Sequence, residues 1–526
     1  MSDRRRVVVV TGGGGGIGAA IAESLGRAGA FVVTVDPMVS VDGARRLPDA
    51  GQTTADKIIA AGGAARTSDT SVTDAAGIHR LFTGLAEEFG ALDAVINVAG
   101  ISRPTTFTEG SDEDWRSVLT VHLDGYRNVL DAAMPLMVAA GGGHILGVTS
   151  GSGWRPANVG AYSCAKRAVA SLTWQLGRHA PDGVVVNAIS PIAATRMVAA
   201  ATGGKVPTSS AGTGGLSLGS MPTPEQLGPL GAHLVAEGFH ACRGRVLFAG
   251  GSEVAVIDEP RLIEVVRSDG VTDQGRLMAV ATEVALAPSE IQQASTGGSN
   301  ARFRSVFDAP PAEQLPPAAA RSCALVTDRP DVAAAVGAVL AARGVTCHPV
   351  DTPAALADIG ALDAVVVAMA GPVAATAATG WQRILAEHDG IVERIHADAQ
   401  WARSVADLAS AGGRTIRLVT VTDATTAGGR SRAQACAQLA RAGRSATDGR
   451  VQPFAISAES GQVPAELVAH LVCGPDTAEL AGAELATGDG WFGLRSHPRP
   501  IGSISFGGPA VPTWFDDTLR EVVQPR

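Results

Sequence analysis

Tyrosine is nearly absent: the 526 residues contain two, Tyr126 and Tyr162. Any chemistry that needs a phenol is confined to those two positions, and the second half of the chain has none. Cysteine is scarce and scattered. Cys164, Cys242, Cys323, Cys347, Cys436 and Cys473 form no CxxC pair. That excludes the clustered spacing of a disulfide framework or a zinc site. They read as free thiols in a reducing, cytoplasmic setting, with no metal expected. Positive charge is in deficit. The net charge of −9 argues against a nucleic-acid partner, which would call for a basic face. Long apolar runs are missing too. Val7–Val10 gives way to Thr11 and the glycines after four residues, short of the roughly 7–15 of a secretory core segment. No stretch reaches the roughly 18 residues of a membrane span.

What is present is ample core material. Hydrophobic residues make up 46% of the chain and charged residues 18%, and the length calls for more than one domain. Short β-branched runs alternate with helical patterns. Val7–Val10, Phe31–Val35, Ala94–Val98, Ile145–Val148 and Val184–Ile189 read as strands, with helices at Ile17 to Ala28 and Thr53 to Ala61. Continuous apolar strands separated by helices mean a parallel sheet covered on both faces, a Rossmann-type doubly wound α/β fold. Residues 288–320 are rich in Ser, Gly, Gln, Ala and Pro and read as linker. A second alternation follows, with strands at Ala324–Val326, Val345 to Val350, Ala364–Val367 and Ile416–Val421 and a helix at Val332 to Ala342. The expected organisation is a first domain over 1–265, a linker over 266–320, a second domain over 321–500 and a tail over 501–526.

The second half repeats the first. Leu92-Asp93-Ala94-Val95 returns as Leu362-Asp363-Ala364-Val365. Trp115 and His122 are spaced like Trp381 and His388, and Ala188-Ile189-Ser190 returns as Ala455-Ile456-Ser457. The offsets of 270, 266 and 267 residues nearly agree, which reads as a doubly wound domain duplicated in tandem. The alternative is an unrelated α/β domain of similar strand composition.

A glycine run, Gly12 to Gly16 followed by Ile17 and Gly18, lies between a strand and a helix. That context suits a dinucleotide. Glycines allow the tight turn and let backbone N–H groups approach the pyrophosphate, and the helix N-terminus adds its dipole. Asp36 closes the second strand, where a carboxylate accepts from ribose hydroxyls and repels a 2′-phosphate. No Arg or Lys occurs between Asp36 and Arg45, so NAD is expected over NADP. Asp36 also reads as a turn residue before Pro37. Tyr162 and Lys166 are four apart in a helical stretch, hence on one face. An ammonium beside a phenol draws its pKa down from about 10 toward the working range. Ser150, just past a strand, can hold the substrate oxygen while Tyr162 exchanges the proton.

Together Thr11–Gly18, Asn97-Val98-Ala99-Gly100, Ser150 and Tyr162-Ser163-Cys164-Ala165-Lys166 resemble the short-chain dehydrogenase/reductases over residues 6 to about 255. The resemblance implies Ser/Tyr/Lys chemistry, B-face hydride transfer and an NAD-dependent enzyme interconverting a secondary alcohol and a ketone. It implies cofactor contacts from Gly12, Gly16, Ile17, Gly18, Asp36, Asn97, Ala99, Gly100, Tyr162, Lys166, Pro191, Ile192 and Thr195. Thr195 also reads as a helix N-cap. Three positions depart from the family pattern. His122 stands where an asparagine is usual, as a proton relay or as a packing substitution. Ser71 replaces the adenine-contacting aspartate, and Ile192 replaces a glycine. The second half keeps none of this: its counterpart turn is Val326-Thr327-Asp328-Arg329-Pro330, and it reads as a degenerate, non-catalytic copy.

Residues 197–222, rich in Gly, Ser, Ala and Met, read as a lid that closes on substrate. The stretch from Pro222–Leu227 through Leu247–Gly251 is similar to the dehydrogenase units of multifunctional β-oxidation enzymes. The substrate candidates are a 3-hydroxyacyl thioester or a polyketide, steroid or terpenoid alcohol. A rival reading is an NAD-binding regulatory or scaffold protein with a C-terminal interaction module. Apolar helices at Trp115 to Leu136 and Ala161 to Leu176 have counterparts after Trp381 and around Ala433–Ala440. This predicts an intramolecular pseudo-dimer, with further homo-oligomerisation left open.

Overall fold

The computed structural model describes residues 4–48, 51–156, 159–201, 221–271, 273–284, 286, 318–376 and 380–524. The first half runs β1 (Val7–Thr11), α1 (Gly16–Arg27), β2 (Phe31–Val35), α2 (Thr54–Ala60), β3 (Ala64–Ser68), α3 (Ala75–Phe89), β4 (Ala94–Asn97), α4 (Asp112–Leu119) and α5 (Gly125–Ala139). It continues β5 (Gly143–Val148), α6 (Gly160–His179), β6 (Val184–Pro191), α7 (Arg196–Ala201), α8 (Pro224–His233), β7 (Val246–Gly250) and β8 (Glu253–Asp258). Then come β9 (Leu262–Arg267), α9 (Gln274–Val284), β10 (Ser322–Val326), α10 (Pro330–Ala342), β11 (Thr346–Pro349), β12 (Ala364–Val367), α11 (Gly380–Glu387) and α12 (Ile391–Gly412). The chain ends β13 (Ile416–Asp423), α13 (Ala427–Ala446), β14 (Val451–Ala458), α14 (Ala465–Cys473), β15 (Glu484–Gly488), β16 (Trp491–Arg495), β17 (Arg499–Ser505) and α15 (Phe515–Val523).

Two sheets form. The first has the order β17-β8-β7-β6-β5-β4-β1-β2-β3 and the second β11-β10-β12-β13-β14-β15-β16-β9. Strands β1 to β7 pair in parallel, as do β10 to β15. Both sheets are the doubly wound type, and the crevice opens where the order reverses, between β1 and β4. The repeat noticed in sequence coincides with the topology: β4 answers to β12 and β6 to β14. Helices α6 and α13 are each 20 residues long, and both of their ends differ by 267.

The last strand of each half crosses over. β9 follows the first half's hairpin strand β8 but pairs antiparallel with β16 in the second sheet. β17 follows β16 but pairs antiparallel with β8 in the first. After it, α15 lays Phe515 and Leu519 into the first half's core. The expected boundaries therefore cut through structure. The tail over 501–526 is part of the first sheet's body, because β8 would otherwise present an unpaired edge. The expected linker over 266–320 contains α9, whose Leu277, Met278 and Ala281 join the second half's core. Its proline-rich part, 287–317, lies outside the described residues, as does most of the expected lid.

One apolar cluster runs through both halves, taking Trp115, Leu130 and Leu172 from the first and Trp401, Val405 and Leu439 from the second. At its centre α6 packs lengthwise on α13. Gln175 Nε2 donates to Ala427 O at 3.2 Å and to Ser431 Oγ at 3.1 Å, and Ser431 Oγ donates to Ser171 Oγ at 3.1 Å. The fully buried Arg167 guanidinium pairs with Glu484 and donates to Gln434 Oε1 at 3.0 Å. Burying such a pair is tolerable only with every lone pair met, and Gln434 donates to the other Glu484 oxygen. Arg403 binds Asp112 at 2.9 Å and Arg127 binds Asp389 at 2.9 Å at the ends of the contact.

Candidate active site

The glycine turn is shaped by sterics. Gly12 has φ +67° and Gly16 φ +53°, where residues with a Cβ are strained. A Cβ on Gly12 would stand 2.7 Å from Ala99 N, and one on Gly18 2.2 Å from Gly12 O. The turn thus lies tight on β4 and α1, with its N–H groups at the helix N-terminus. Thr11 Oγ1 fastens it, donating to Asn97 Oδ1 at 2.7 Å and accepting from Ala99 N at 3.3 Å. Asp36 is oriented by main-chain donors, Gly14 N at 3.0 Å and Met38 N at 2.8 Å. Met38 takes a left-handed φ of +51° to make that bond.

A cleft of about 920 Å³ runs from this turn across the ends of β4 and β5. Gly12, Gly16, Ile17, Asp36, Ala99, Gly100, Pro191, Ile192 and Thr195 line it, as do His122, Ser150, Tyr162 and Lys166. Of the expected cofactor residues, Gly18 and Asn97 do not line it; they support the turn from behind. Ser71 lines the cleft, with its Oγ 2.8 Å from Thr73 Oγ1. Thr195 caps α7 by accepting from Val198 N at 3.2 Å, and its methyl lies 3.7 Å from where a Gly16 Cβ would be. The cap and the cleft-facing position coexist. Tyr126 is elsewhere, buried with its hydroxyl 3.3 Å from Thr173 Oγ1.

Helix α6 carries Tyr162 and Lys166 on the face toward the cleft. Lys166 is buried, and its Nζ donates to Val148 O at 2.7 Å and lies 5.6 Å from the Tyr162 ring centroid. Burial draws its pKa down to about 7. The Tyr162 phenol is pushed above its usual value by burial, with a hydrogen bond to Ser150 working against the rise. The sequence reading expected the ammonium to pull the phenol down. Desolvation raises it instead, and the phenol stands as a proton donor.

His122 reaches the cleft through an irregularity. Thr120–Asp124 forms one π-turn between α4 and α5, a geometry that recurs at functional sites. Its ring lies edge-on to Tyr162 at 5.0 Å between centroids, under Gly100, where a Cβ would meet it at 2.3 Å. Nε2 is 2.8 Å from Ile101 O. A carbonyl only accepts, so Nε2 carries the hydrogen and Nδ1 is a bare acceptor. Nδ1 is buried with no partner. Burial, then the Lys166 charge, holds this imidazole neutral, well below its usual pKa.

Some cleft residues escaped the sequence reading. Arg196 approaches the glycine turn, 3.1 Å from a notional Gly15 Cβ, and Arg155 lies against Gly151. The second half also touches this region. Gln438 Nε2 donates to Ser152 O at 3.0 Å and Arg155 O at 2.7 Å, and Arg441 Nη1 donates to Trp154 O at 2.7 Å. In the second half's own crevice the turn holds Asp328, which accepts from Ala370 N at 2.8 Å. By the 267-residue offset, Gly429 and Ala433 stand where Tyr162 and Lys166 would. Among the described residues no cluster of His, Cys, Asp or Glu is arranged to hold a metal. No described helix is long and apolar enough to cross a membrane.

The family model of the short chain dehydrogenases matches residues 6–204. The chain belongs to the short-chain dehydrogenase/reductase family and is an oxidoreductase. It is 34% identical over 245 residues to the cis-4-hydroxycyclohexanecarboxylate dehydrogenase of Sinomonas cyclohexanicum, covering 46% of this chain and 93% of that protein. It is 33% identical over 243 residues to the short-chain reductase protein NovJ of Streptomyces niveus, covering 44% and 89%. In structure it is similar to the NADP-bound N-domain of a bacterial malonyl-CoA reductase. The TM-score is 0.64 at 18% identity, over 89% of this chain and 95% of that one. That likeness concerns the fold, and it extends over both halves.

Proposed function

We propose that the chain interconverts a secondary alcohol and a ketone with NAD(H) in its single working cleft. The observation that carries this reading is the meeting of Tyr162, Ser150 and Lys166 at one end of a cleft whose other end is the glycine turn and Asp36. The residues fit a dinucleotide. The turn is a cradle that any Cβ would fill, its N–H groups suit a pyrophosphate, and Asp36 suits a ribose. Asp36 supports NAD over NADP. Bound nicotinamide supplies or accepts the hydride. Tyr162 Oη gives its proton to the ketone oxygen in reduction and takes it back in oxidation, while Ser150 Oγ donates to the same oxygen. Lys166, when protonated, stabilises the phenolate. His122 Nδ1 offers a lone pair for an ordered water beside this pair, a relay role for the imidazole.

The second half has the place of a partner subunit: α13 covers α6, and Gln438 and Arg441 hold the segment after Ser150. This supports an intramolecular pseudo-dimer with one NADH bound per chain. Six free thiols, five of them buried, favour a cytoplasmic setting.

The test is NADH formation from a panel of secondary alcohols and hydroxyacyl thioesters, followed by absorbance. Tyr162→Phe abolishes turnover yet leaves NADH affinity nearly intact. A variant that keeps most of its activity refutes the mechanism.

A further inference from the structure

The segment that carries Ser150 is fastened on both sides to one turn of α6. Before Ser150, Thr149 Oγ1 donates to Lys166 O at 2.5 Å. After it, Gly153 lies on the helix backbone, where a Cβ would stand 3.0 Å from Arg167 N. Lys166 and Arg167 are adjacent, so their side chains leave α6 about 100° apart. Lys166 turns to the cleft and Arg167 to the second half.

The Arg167 guanidinium is wholly buried and pairs with Glu484 of β15. Its Nε donates to Gln434 Oε1 at 3.0 Å, and Nη1 lies 3.2 Å from His497 Nδ1. Nη1 also donates to Gln438 Oε1 at 3.4 Å. The same Gln438 amide holds Ser152 O and Arg155 O through Nε2. One line of contacts thus runs from Glu484 through Arg167 and Gln438 to the backbone that follows Ser150. A buried ion pair is a weak stabiliser, because desolvating both charges offsets their attraction, and apolar groups of like volume often serve as well or better. Stability alone gives no reason for a pair at this place. What the pair adds over apolar packing is direction, since a guanidinium fork fixes the angle and distance of every group it meets.

We propose that Arg167 and Glu484 are positioning residues for the reaction: the second half's carboxylate, acting through the guanidinium, sets Ser150 and Lys166 at the geometry that Tyr162 requires. The inference rests on the oxidoreductase reading. Arg167 and Glu484 both stand outside the cleft's lining, so the second half serves turnover without lending a side chain to the site. A misplacement of about 1 Å in a reacting constellation can cost about a hundredfold in rate.

The experiment uses the full chain and removes the pair without stranding a charge, by Arg167→Met together with Glu484→Leu. The melting temperature should hold or rise. For the best secondary alcohol of the panel, kcat should fall by about tenfold to hundredfold, while KM and NADH affinity change by less than about threefold. Adding Gln438→Ala to this double variant should cost little more, because residues on one line of contacts are not additive. Asp389→Asn breaks the Arg127–Asp389 pair between the same halves and should leave kcat unchanged. Hydrogen exchange of residues 151–155, read without substrate, should quicken at least about tenfold in the double variant. Should that variant fail to fold, Arg167→Lys keeps the charge, loses the fork and is read in the same way. A folded variant with wild-type kcat overturns the proposal. So does a loss of kcat that Asp389→Asn reproduces, which would mark a general effect of loosening the halves. If the wild type oxidises no alcohol, the oxidoreductase reading falls instead, and the exchange measurement decides the positioning: unchanged protection of residues 151–155 overturns it.

Discussion

The side-chain amide of Gln438 donates a 2.7 Å hydrogen bond to the main-chain carbonyl of Arg155, 283 residues away in the chain. Its other amide hydrogen serves Ser152 O. The second half thereby holds the backbone that follows Ser150. Gln438→Ala removes both of these hydrogen bonds, worth about 1 kcal/mol each, and with them the 3.4 Å bond that Arg167 Nη1 donates to Gln438 Oε1, so kcat/KM should fall by roughly tenfold or more. NADH affinity should hold, since the glycine turn and Asp36 are untouched. Gln438→Glu keeps the shape but cannot donate, and should lose as much as alanine. Full activity in the glutamate variant would remove the positioning role.

Asp36 is the residue proposed to set cofactor choice. The protein should bind NADH at least about tenfold tighter than NADPH, a difference of roughly 1.4 kcal/mol. Asp36→Ala should narrow the gap, and also loosen the Gly14 and Met38 contacts. Fluorescence titration reads both. Equal affinities in wild type would refute the assignment.

Several histidines are buried neutral. Burial draws His388 and His470 down to about 4, and His122 and His497 well below the usual value. A folded-state pKa below the unfolded one means the unfolded chain takes up the proton first as pH falls. Their contribution is fully present above about pH 6.5 and is lost toward pH 4. Asp124, raised to about 6 by burial and by Glu393, and Glu484, raised by burial, slope the opposite way, but they are two groups against four. Thermal stability should therefore climb between about pH 4 and 6.5. His388 lies at the contact of the halves, with Nε2 2.8 Å from Ser431 Oγ. His388→Gln should flatten the slope by on the order of 2–3 kcal/mol over that window. An unchanged pH profile would show that this histidine is not titrated by unfolding.

A fragment of residues 1–265 should be poorly soluble or self-associating, and inactive. It bares the apolar face of α6 and loses β17 and α15, leaving β8 as an open edge. Gel filtration and NADH turnover decide it. A soluble, monomeric, fully active fragment would rule out the pseudo-dimer.

The sequence was most readable where chain position and space agree. Continuous apolar runs such as Phe31–Val35 and Ala364–Val367 match β2 and β12 residue for residue, because both faces of those strands are covered. Ala64 to Ser68 passed unnoticed: β3 is an edge strand with little apolar content, and its ladder comes from β2. β17 contains Pro500 and Gly502 and carries no periodic signal; it exists because β8 offers it an edge. The glycine turn, Ser150, Tyr162 and Lys166 were legible because their spacing reflects local geometry. Gln438 and Arg155 were not, because their meeting depends on how a helix of the second half packs against a distant loop of the first. No local pattern encodes that.

The exchange of β9 and β17 binds the two copies topologically as well as by contact. Neither sheet is whole without a strand from the other copy, so neither can melt while its neighbour stays intact. Calorimetry should record one cooperative transition, not two. The same knot bears on descent. A deletion that excised the second half through β17 would take with it the outermost strand of the first sheet, so the first half cannot discard its neighbour and stay whole. Were the two halves products of one duplication, strand exchange of this kind would work as a ratchet, turning a redundant second copy into a permanent part of the first.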